Sequence, residues 1–282
     1  YENVNEKPKN TDKKAVIPNL LKWKQTIIIS WSKYTAYRFN FFLQIIGPSL
    51  VFFFIKYNLW SSIYQGNQDL VIMGYNFKSM IQYHAWGFIV FLLAQGHASF
   101  NLSEDIRLGR ISSYLIYPFN FWEFHTASFI SFQILQIIIT TMTIIILCLL
   151  NIIEIESIFF LFHGLLYSLF VSFFWYNLQY FTGLLAFWLE ETWIIRVTIQ
   201  IISSFLSGAI LPLELYPNWL ASILKFSPFP YLSYYPIKVF TGSIDISITY
   251  LYLFISVWIL IFIFINNFIW KKGLRLYTAA GM

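Results

Sequence analysis

The chain has 282 residues, of which 58% are hydrophobic, 22% aromatic and 11% charged, with a formal net charge of +5 and a single cysteine. Soluble domains carry about 25% charged residues, so this composition excludes an ordinary soluble enzyme, a disordered protein and a disulfide-stabilised secreted domain. The length allows several membrane spans of about 20 residues each. We therefore predict an all-α integral membrane protein.

The first 40 residues are predicted to lie outside the membrane core. Residues 1–15 are rich in Lys, Asn and Glu, which is typical of a polar tail. Over residues 16–40, apolar and aromatic residues alternate with Lys at helical spacing. This pattern predicts an amphipathic helix in the membrane interface, with its Lys side chains reaching water. An extended start of the first span would produce the same pattern.

Six apolar segments follow, and we predict that each forms a membrane-spanning helix of a transmembrane domain over residues 41–270. The segments are 41–59, 80–99, 127–150, 158–188, 193–211 and 250–270. If both termini are cytoplasmic, including a second tail over residues 271–282, the cytoplasmic side carries 14 of the 18 Lys and Arg residues. The positive-inside rule predicts this orientation. The net positive charge of the chain is thus explained by its membrane topology, and we expect no nucleic-acid partner.

The sequence lacks the common signatures of catalysis. It has no G-x-x-x-x-G-K-[ST] phosphate loop and no H-E-x-x-H zinc pair. The adjacent acids at 104–105 and 190–191 point about 100° apart on a helix, so neither pair is an obvious metal chelate. We therefore expect no catalytic residue, metal or cofactor in this chain. A membrane-embedded lipid-modifying enzyme and an ion-coupled secondary carrier remain as alternatives.

The loop over residues 100–118, between the second and third predicted spans, combines acids, arginines and a glycine. Ser103 is predicted to cap a short helix that begins at Glu104 and ends before Pro118. One side of this helix would present Ile106, Gly109, Arg110 and Ser113. A short amphipathic helix with both charge signs is suited to docking a partner, although an ordinary capped connector has the same pattern.

Three motifs occur in a fixed order along the chain. They are IRLGRI at 106–111 with YLIYP at 114–118, SGAILPLE at 207–214 with YPNWL at 216–220, and WKKGLRLY at 270–277. Together these motifs resemble the type-2 ABC exporter permease family, the membrane subunits of ATP-binding-cassette transporters. The loop fits poorly to the Glu-Ala-Ala loop of importer permeases, which favours an exporter.

This resemblance implies a half-transporter in the inner membrane of a prokaryote. Two permeases, identical or related, would pair in the lipid, and two separate ATP-binding-cassette subunits carrying ATP and Mg would bind their cytoplasmic faces. The resemblance assigns Glu104, Asp105, Arg107, Gly109 and Arg110 to a coupling helix that contacts the ATPase. It also implies a re-entrant segment over residues 212–240 that caps the pathway. The corresponding outer-gate residues are Gly208, Pro212, Pro217 and Trp219.

Polar residues at helical spacing mark a candidate pathway in the fifth span. They are Arg196, Gln200, Ser203 and Ser207. Similar stripes occur in the third and fourth spans, and such faces turn inward to line a path or, more often, to join helices. Arg196 either forms a gate pair with Glu190 or Glu191 or anchors the helix end, and we favour the anchor. The sequence does not identify the substrate.

Overall fold

The computed structural model describes residues 11–36, 38–65, 67, 70–94, 100–116 and 120–276. Within these residues the regular structure is helical, apart from one isolated bridge between Ile72 and Tyr75. The described α-helices are α1 (Thr11–Ala36), α2 (Arg38–Tyr64), α3 (Phe77–Ala94), α4 (Phe100–Arg107), α5 (Ile111–Ile116), α6 (Phe121–Leu149), α7 (Ile158–Leu184), α8 (Trp193–Leu206), α9 (Asn218–Leu224), α10 (Phe229–Leu232), α11 (Tyr234–Phe240) and α12 (Ile248–Leu276). Two 3-10 turns are formed by Leu185–Phe187 and Leu213–Leu215.

A helix lies at the position of each predicted span, namely α2, α3, α6, α7, α8 and α12. Among the described residues, three helices are long and apolar enough to cross a membrane: α6, α7 with its 3-10 turn, and α12. The apolar α8 has 14 residues, which is about 21 Å of helix and less than a bilayer core of about 30 Å. The all-α membrane class is therefore supported, and the count of six spans stays a prediction.

The helix boundaries at both ends of the chain differ from the predicted ones. Helix α1 begins at Thr11, inside the stretch predicted as a tail, and α2 already begins at Arg38. Helix α12 continues to Leu276, so the first part of the predicted C-terminal tail is helical. Residues 1–10 and 277–282 lie outside the described residues, and so does the position of Pro118.

Helix α7 is the centre of the bundle, because α12, α3, α11 and α4 all pack against it. Its first turn is capped by Ser157, whose hydroxyl accepts hydrogen bonds from the backbone N–H groups of Phe159 and Phe160. Further along, the carbonyl of Asn177 accepts a 2.9 Å hydrogen bond from the Asn266 amide of α12. An internal partner of this kind is what buried polar groups need where water is absent.

Aromatic rings fill much of the bundle core. Trp86 of α3 stacks on Phe240 of α11 with 4.5 Å between ring centroids, and Tyr231 stacks on Phe254 at 3.9 Å. Phe240 lies against α7 at Gly164, where the absence of a side chain makes room for the ring. The short helices α10 and α11 are thereby packed against the long ones.

Replacing Gly164 with Ala should therefore disturb the core. A Cβ at this position would lie 2.5 Å from Phe240 Cδ1, so the ring has to move. We expect the variant to lose about 1–3 kcal/mol of stability, seen as a lower thermal unfolding temperature of the purified protein. Adding Phe240→Leu should restore part of the loss.

Gly87→Ala is the matched control, because its Cβ would meet the flexible end of Ile237 at 3.2 Å. This variant should unfold close to the wild-type temperature. Equal losses in Gly164→Ala and Gly87→Ala would contradict the proposed packing of Phe240 on α7.

Candidate functional site

The loop after α3 folds as two short helices, α4 and α5, separated by a turn at Gly109. The backbone N–H of Gly109 donates to the Ile106 carbonyl and that of Arg110 donates to the Asp105 carbonyl, which together form a Schellman motif. Gly109 has φ +72°, a conformation that costs other residues about 1–2 kcal/mol. The prediction of one helix beginning at Glu104 is therefore wrong. Ser103 lies inside α4 and does not cap it.

Charged side chains fasten this turn from both sides. Arg110 donates through Nη2 to Glu104 Oε1 and through Nη1 to Asp105 Oδ1, both at 3.1 Å. The Tyr114 hydroxyl lies 3.4 Å from Asp105 Oδ2. Burial raises the pKa of the Asp105 carboxyl above its usual value, although Arg110 and Tyr114 both donate to it. Removing Arg110 would thus leave a buried carboxyl without its cation.

The loop is also docked on the rest of the bundle. Leu102 of α4 covers Gly183 of α7 so closely that a Cβ on Gly183 would overlap the leucine side chain. Arg107 lies 3.5 Å from Glu191, two residues before α8 begins at Trp193. All five residues predicted for ATPase coupling thus lie in or beside one turn that touches α7 and the α7–α8 connection. Leu108, at the tip of the turn, is exposed.

A cavity of about 170 Å³ lies between α2, α3, α7 and α8. Its walls combine Phe and Trp side chains with a cluster of polar residues, among them Ser49, Lys56, His84, Gln200, Ser203, Ser207 and Ser233. Three of the four predicted pathway residues, Gln200, Ser203 and Ser207, line it. Arg196 lines a smaller neighbouring space of about 10 Å³ together with Gln179, Thr182 and Gln200. The stripe on α8 therefore faces into the bundle.

Polar residues of α6 and α7 make hydrogen bonds inside the bundle. In α6, Gln133 donates 2.9 Å to the carbonyl of Leu93, and Thr126 shares a 2.9 Å hydrogen bond with Tyr176 of α7. In α7, Ser172 bonds back to the carbonyl of Leu169. The contacts of Gln133 and Thr126 link helices, whereas the contact of Ser172 stays within α7.

Lys56 is a site residue that sequence reasoning missed. Its Nζ donates a 2.7 Å hydrogen bond to the carbonyl of Ala209, and its side chain lines the cavity. Nearby, the Trp60 indole N–H donates 2.7 Å to Nε2 of His84. Nε2 of His84 thus accepts a hydrogen bond, and the His84 and Trp60 side chains form a buried hydrogen-bonded pair. No local pattern marks these contacts, because residue 56 and residue 209 are far apart in the chain.

At the C-terminal end of α8, four residues form a compact cluster, which we call the Glu214 cluster: Tyr75, Glu214, Tyr234 and Lys238. The Glu214 carboxylate accepts from Lys238 Nζ at 2.7 Å, from the Tyr234 hydroxyl at 2.8 Å and from the Tyr75 hydroxyl at 3.2 Å. The Lys238 ammonium also lies 5.2 Å from the centroid of the Tyr75 ring. Sequence reasoning missed this cluster too, since its members come from three separate segments.

The predicted outer-gate residues are only partly brought together. Gly208, with φ +79°, ends α8 against Leu213 and Tyr234, and its carbonyl accepts 2.7 Å from the Tyr83 hydroxyl. Pro212 and Pro217 precede the 3-10 turn and α9, respectively. Trp219 is 67% exposed and lies outside the Glu214 cluster.

The described residues contain no group of three His, Cys, Asp or Glu side chains that could hold a metal ion. What they do contain is a set of apolar helices around a polar-lined cavity, with a docked charged loop at one end of α8 and a hydrogen-bonded cluster at the other. This combination defines an all-helical membrane protein whose architecture suits transport.

The chain belongs to the ABC-2 family of transporters. The family model described as "ABC-2 family transporter protein" matches residues 50–281, which is most of the chain. The resemblance to ABC permeases is thus confirmed, and the protein is a transporter permease, a multi-pass membrane component. Membrane proteins of this family work in general with ATP-binding-cassette subunits, and are typically non-catalytic. No curated protein matches the chain.

The Glu214 cluster generates a pH prediction. Burial acts to raise the pKa of the Glu214 carboxyl, but hydrogen bonds from Lys238, its own backbone and Tyr234 outweigh burial and hold the pKa below its usual value. A lowered pKa stabilises the fold above the unfolded-state value of about 4.3, and the stabilisation is lost as the pH falls through the folded-state pKa. Glu214→Gln should cost about 1–2 kcal/mol at pH 7, and its unfolding temperature should approach that of wild type below about pH 4.

Glu154→Gln is the matched control, because Glu154 also pairs with a lysine, Lys78, at 2.6 Å. The Glu154 and Lys78 side chains are 62% and 66% exposed, against 32% and 13% for Glu214 and Lys238. Solvent weakens such exposed pairs, so this variant should unfold like wild type. The same loss in both variants would contradict a special role for the cluster.

Proposed function

We propose that this chain is the permease subunit of an ATP-driven exporter, and that separate ATPase subunits drive it through the α4–α5 loop. The observation that carries this proposal is the attachment of the loop. Leu102 fixes α4 to α7 at Gly183, and Arg107 pairs with Glu191 just before α8. A push on the exposed turn at Leu108 is therefore transmitted to α8, which forms a wall of the cavity.

The charges of the turn suit a docking role. Glu104, Arg107 and Arg110 are all exposed, so a partner protein meets both signs of charge on one small surface. Arg110 pairs with Glu104 within the loop and Arg107 pairs with Glu191 before α8, so the surface is ordered before the partner binds.

We propose that two permeases pair along α8. The face of α8 that points away from the cavity carries the exposed apolar residues Ile194, Val197, Ile201 and Phe205. Their spacing of three or four residues forms one stripe, opposite the stripe that contains Ser203. Pairing covers this stripe and surrounds the short α8 with protein.

The direction of transport and the cellular location rest on the sequence. The loop motif at 106–118 favours the exporter subfamily, and the distribution of Lys and Arg favours cytoplasmic termini in the inner membrane of a prokaryote. With this orientation the α4–α5 loop faces the cytoplasm, where ATPase subunits are, and the Glu214 cluster faces outside.

Native mass spectrometry of the complex, extracted gently from its own membrane, tests the assembly. We expect two copies of this permease, or one copy with a related permease, together with two ATP-binding subunits. Recovery of this chain alone after mild extraction, with no ATP-binding subunit in any preparation, would contradict the proposal.

Reversing the charge of Arg110 tests the coupling. Arg110→Glu places a third acid beside Glu104 and Asp105, so the turn should open. ATP hydrolysis by the complex should then no longer respond to the permease. We expect transport, and the permease-dependent part of ATP hydrolysis, to fall at least about tenfold, a loss of about 1.4 kcal/mol.

Arg275→Glu makes the same charge change on another exposed residue, near the end of α12. Transport by this control should match wild type. Both variants should reach the membrane in normal amounts, which a blot of the membrane fraction checks. Normal transport by Arg110→Glu would remove the loop from the coupling pathway.

A further inference from the structure

The cavity between α2, α3, α7 and α8 contains a cation that no carboxylate balances. Among the described residues Lys56 has no ion-pair partner within 4.0 Å, and its one hydrogen bond goes to the neutral carbonyl of Ala209. An ammonium group carries three N–H donors, so two remain for a ligand. A charge held among apolar helices is costly unless an opposite charge accompanies it.

Capping of α8 does not by itself require this charge. The neighbouring carbonyl of Gly208 is satisfied by Tyr83, a neutral hydroxyl at 2.7 Å. A neutral donor at position 56 would serve Ala209 in the same way. The positive charge of Lys56 is therefore in excess of what the helix end needs.

Ser203 provides a second, independent observation. Ser203 is 1% exposed and lines the same cavity, and its hydroxyl has no hydrogen-bond partner among the residues that the structure describes. The adjacent Ser204 bonds back to the carbonyl of Ile201, as serines in helices commonly do. A buried hydroxyl without a partner costs about 1–3 kcal/mol, which a ligand oxygen would recover.

The remaining walls are aromatic. Phe53, Phe88, Phe91 and Trp175 line the cavity, and Phe52 lines it while being 58% exposed on the outer face of α2. A space of about 170 Å³ takes a head group and a few carbons, and the exposed side at Phe52 gives the rest of a long chain a way out.

We propose that this cavity binds an amphiphile whose head is an oxyanion, a carboxylate or a phosphate. Lys56 and Ser203 bind the head, and the aromatic walls bind the first part of the apolar chain. Such a molecule is either a lipid of the bilayer or a soluble amphiphile. The proposal concerns binding by this chain alone and does not depend on export.

Photolabelling tests it. The full chain is placed in phosphatidylcholine nanodiscs and labelled with a diazirine-bearing dodecanoate or with its uncharged methyl ester. We expect the acid to label wall peptides of α2 and α3 at least about tenfold more than the ester, the difference that a charge-assisted hydrogen bond produces. Equal labelling by acid and ester would overturn the proposal.

Three variants locate the head group. Lys56→Gln keeps an N–H donor for Ala209 but removes the charge, and should lower labelling by the acid about tenfold without changing the ester. Ser203→Ala removes a hydroxyl without a partner in the described part of the chain, and should lower acid labelling about threefold. Lys78→Gln removes the same charge from an exposed lysine and should have no effect.

Using two variants keeps the proposal testable even if one of them does not fold. If Lys56→Gln fails to fold, unchanged acid labelling in the folded Ser203→Ala variant overturns the proposal. If both fold, unchanged acid labelling in Lys56→Gln does so.

Lipid extraction then separates the two sources of the ligand. An anionic lipid that copurifies with wild type and is lost from Lys56→Gln identifies the bilayer as the source. Binding of the dodecanoate probe without a copurifying lipid identifies a soluble amphiphile. Since no ATPase subunit is present in these measurements, their failure would leave the exporter proposal untouched.

Discussion

The C-terminal end of α8 sets the constraint on which the rest of this structure depends. A helix end leaves carbonyl groups without partners, and inside a membrane no water is available to supply them. Here three consecutive carbonyls receive donors from three different elements. Tyr234 N–H of α11 donates to Ser207, the Tyr83 hydroxyl of α3 to Gly208, and Lys56 of α2 to Ala209. The short α8 thus ends within the protein, and α2, α3 and α11 are held around that end.

The elements of the fold could largely be predicted from the sequence. Long apolar runs correctly predict helices at the six expected positions. Hydropathy is read from consecutive residues, so this prediction needs no knowledge of tertiary contacts. The stripe of polar residues on α8 was also visible, and Gln200, Ser203 and Ser207 do face the cavity. Both patterns depend only on residues that are near one another in the chain, so they can be recognised without knowledge of the tertiary structure.

What sequence reasoning missed depends on contacts between distant segments or on backbone geometry. Gly109 was placed inside a helix, although glycine near the end of a polar helix is also the usual residue of a Schellman turn. The contact of Lys56 leaves no mark in the sequence, because its partner, the Ala209 carbonyl, lies in the distant segment that follows α8. Glu214 and Lys238 are separated by two short helices, so nothing in their spacing marks a pair.

The two ends of α8 differ in how firmly they are held, and this difference bears on transport. At the C-terminal end, the carbonyl network and the Glu214 cluster combine short hydrogen bonds with partly buried charges. At the end near α4, the link to the loop is the exposed pair of Arg107 and Glu191 at 3.5 Å, and exposed pairs of this kind contribute at most about 1 kcal/mol. A force applied through the loop therefore meets less resistance at the first turn of α8 than at its last. Movement of α8 should pivot about Gly208, which widens the cavity beside Gln200 before it disturbs the contacts of Lys56.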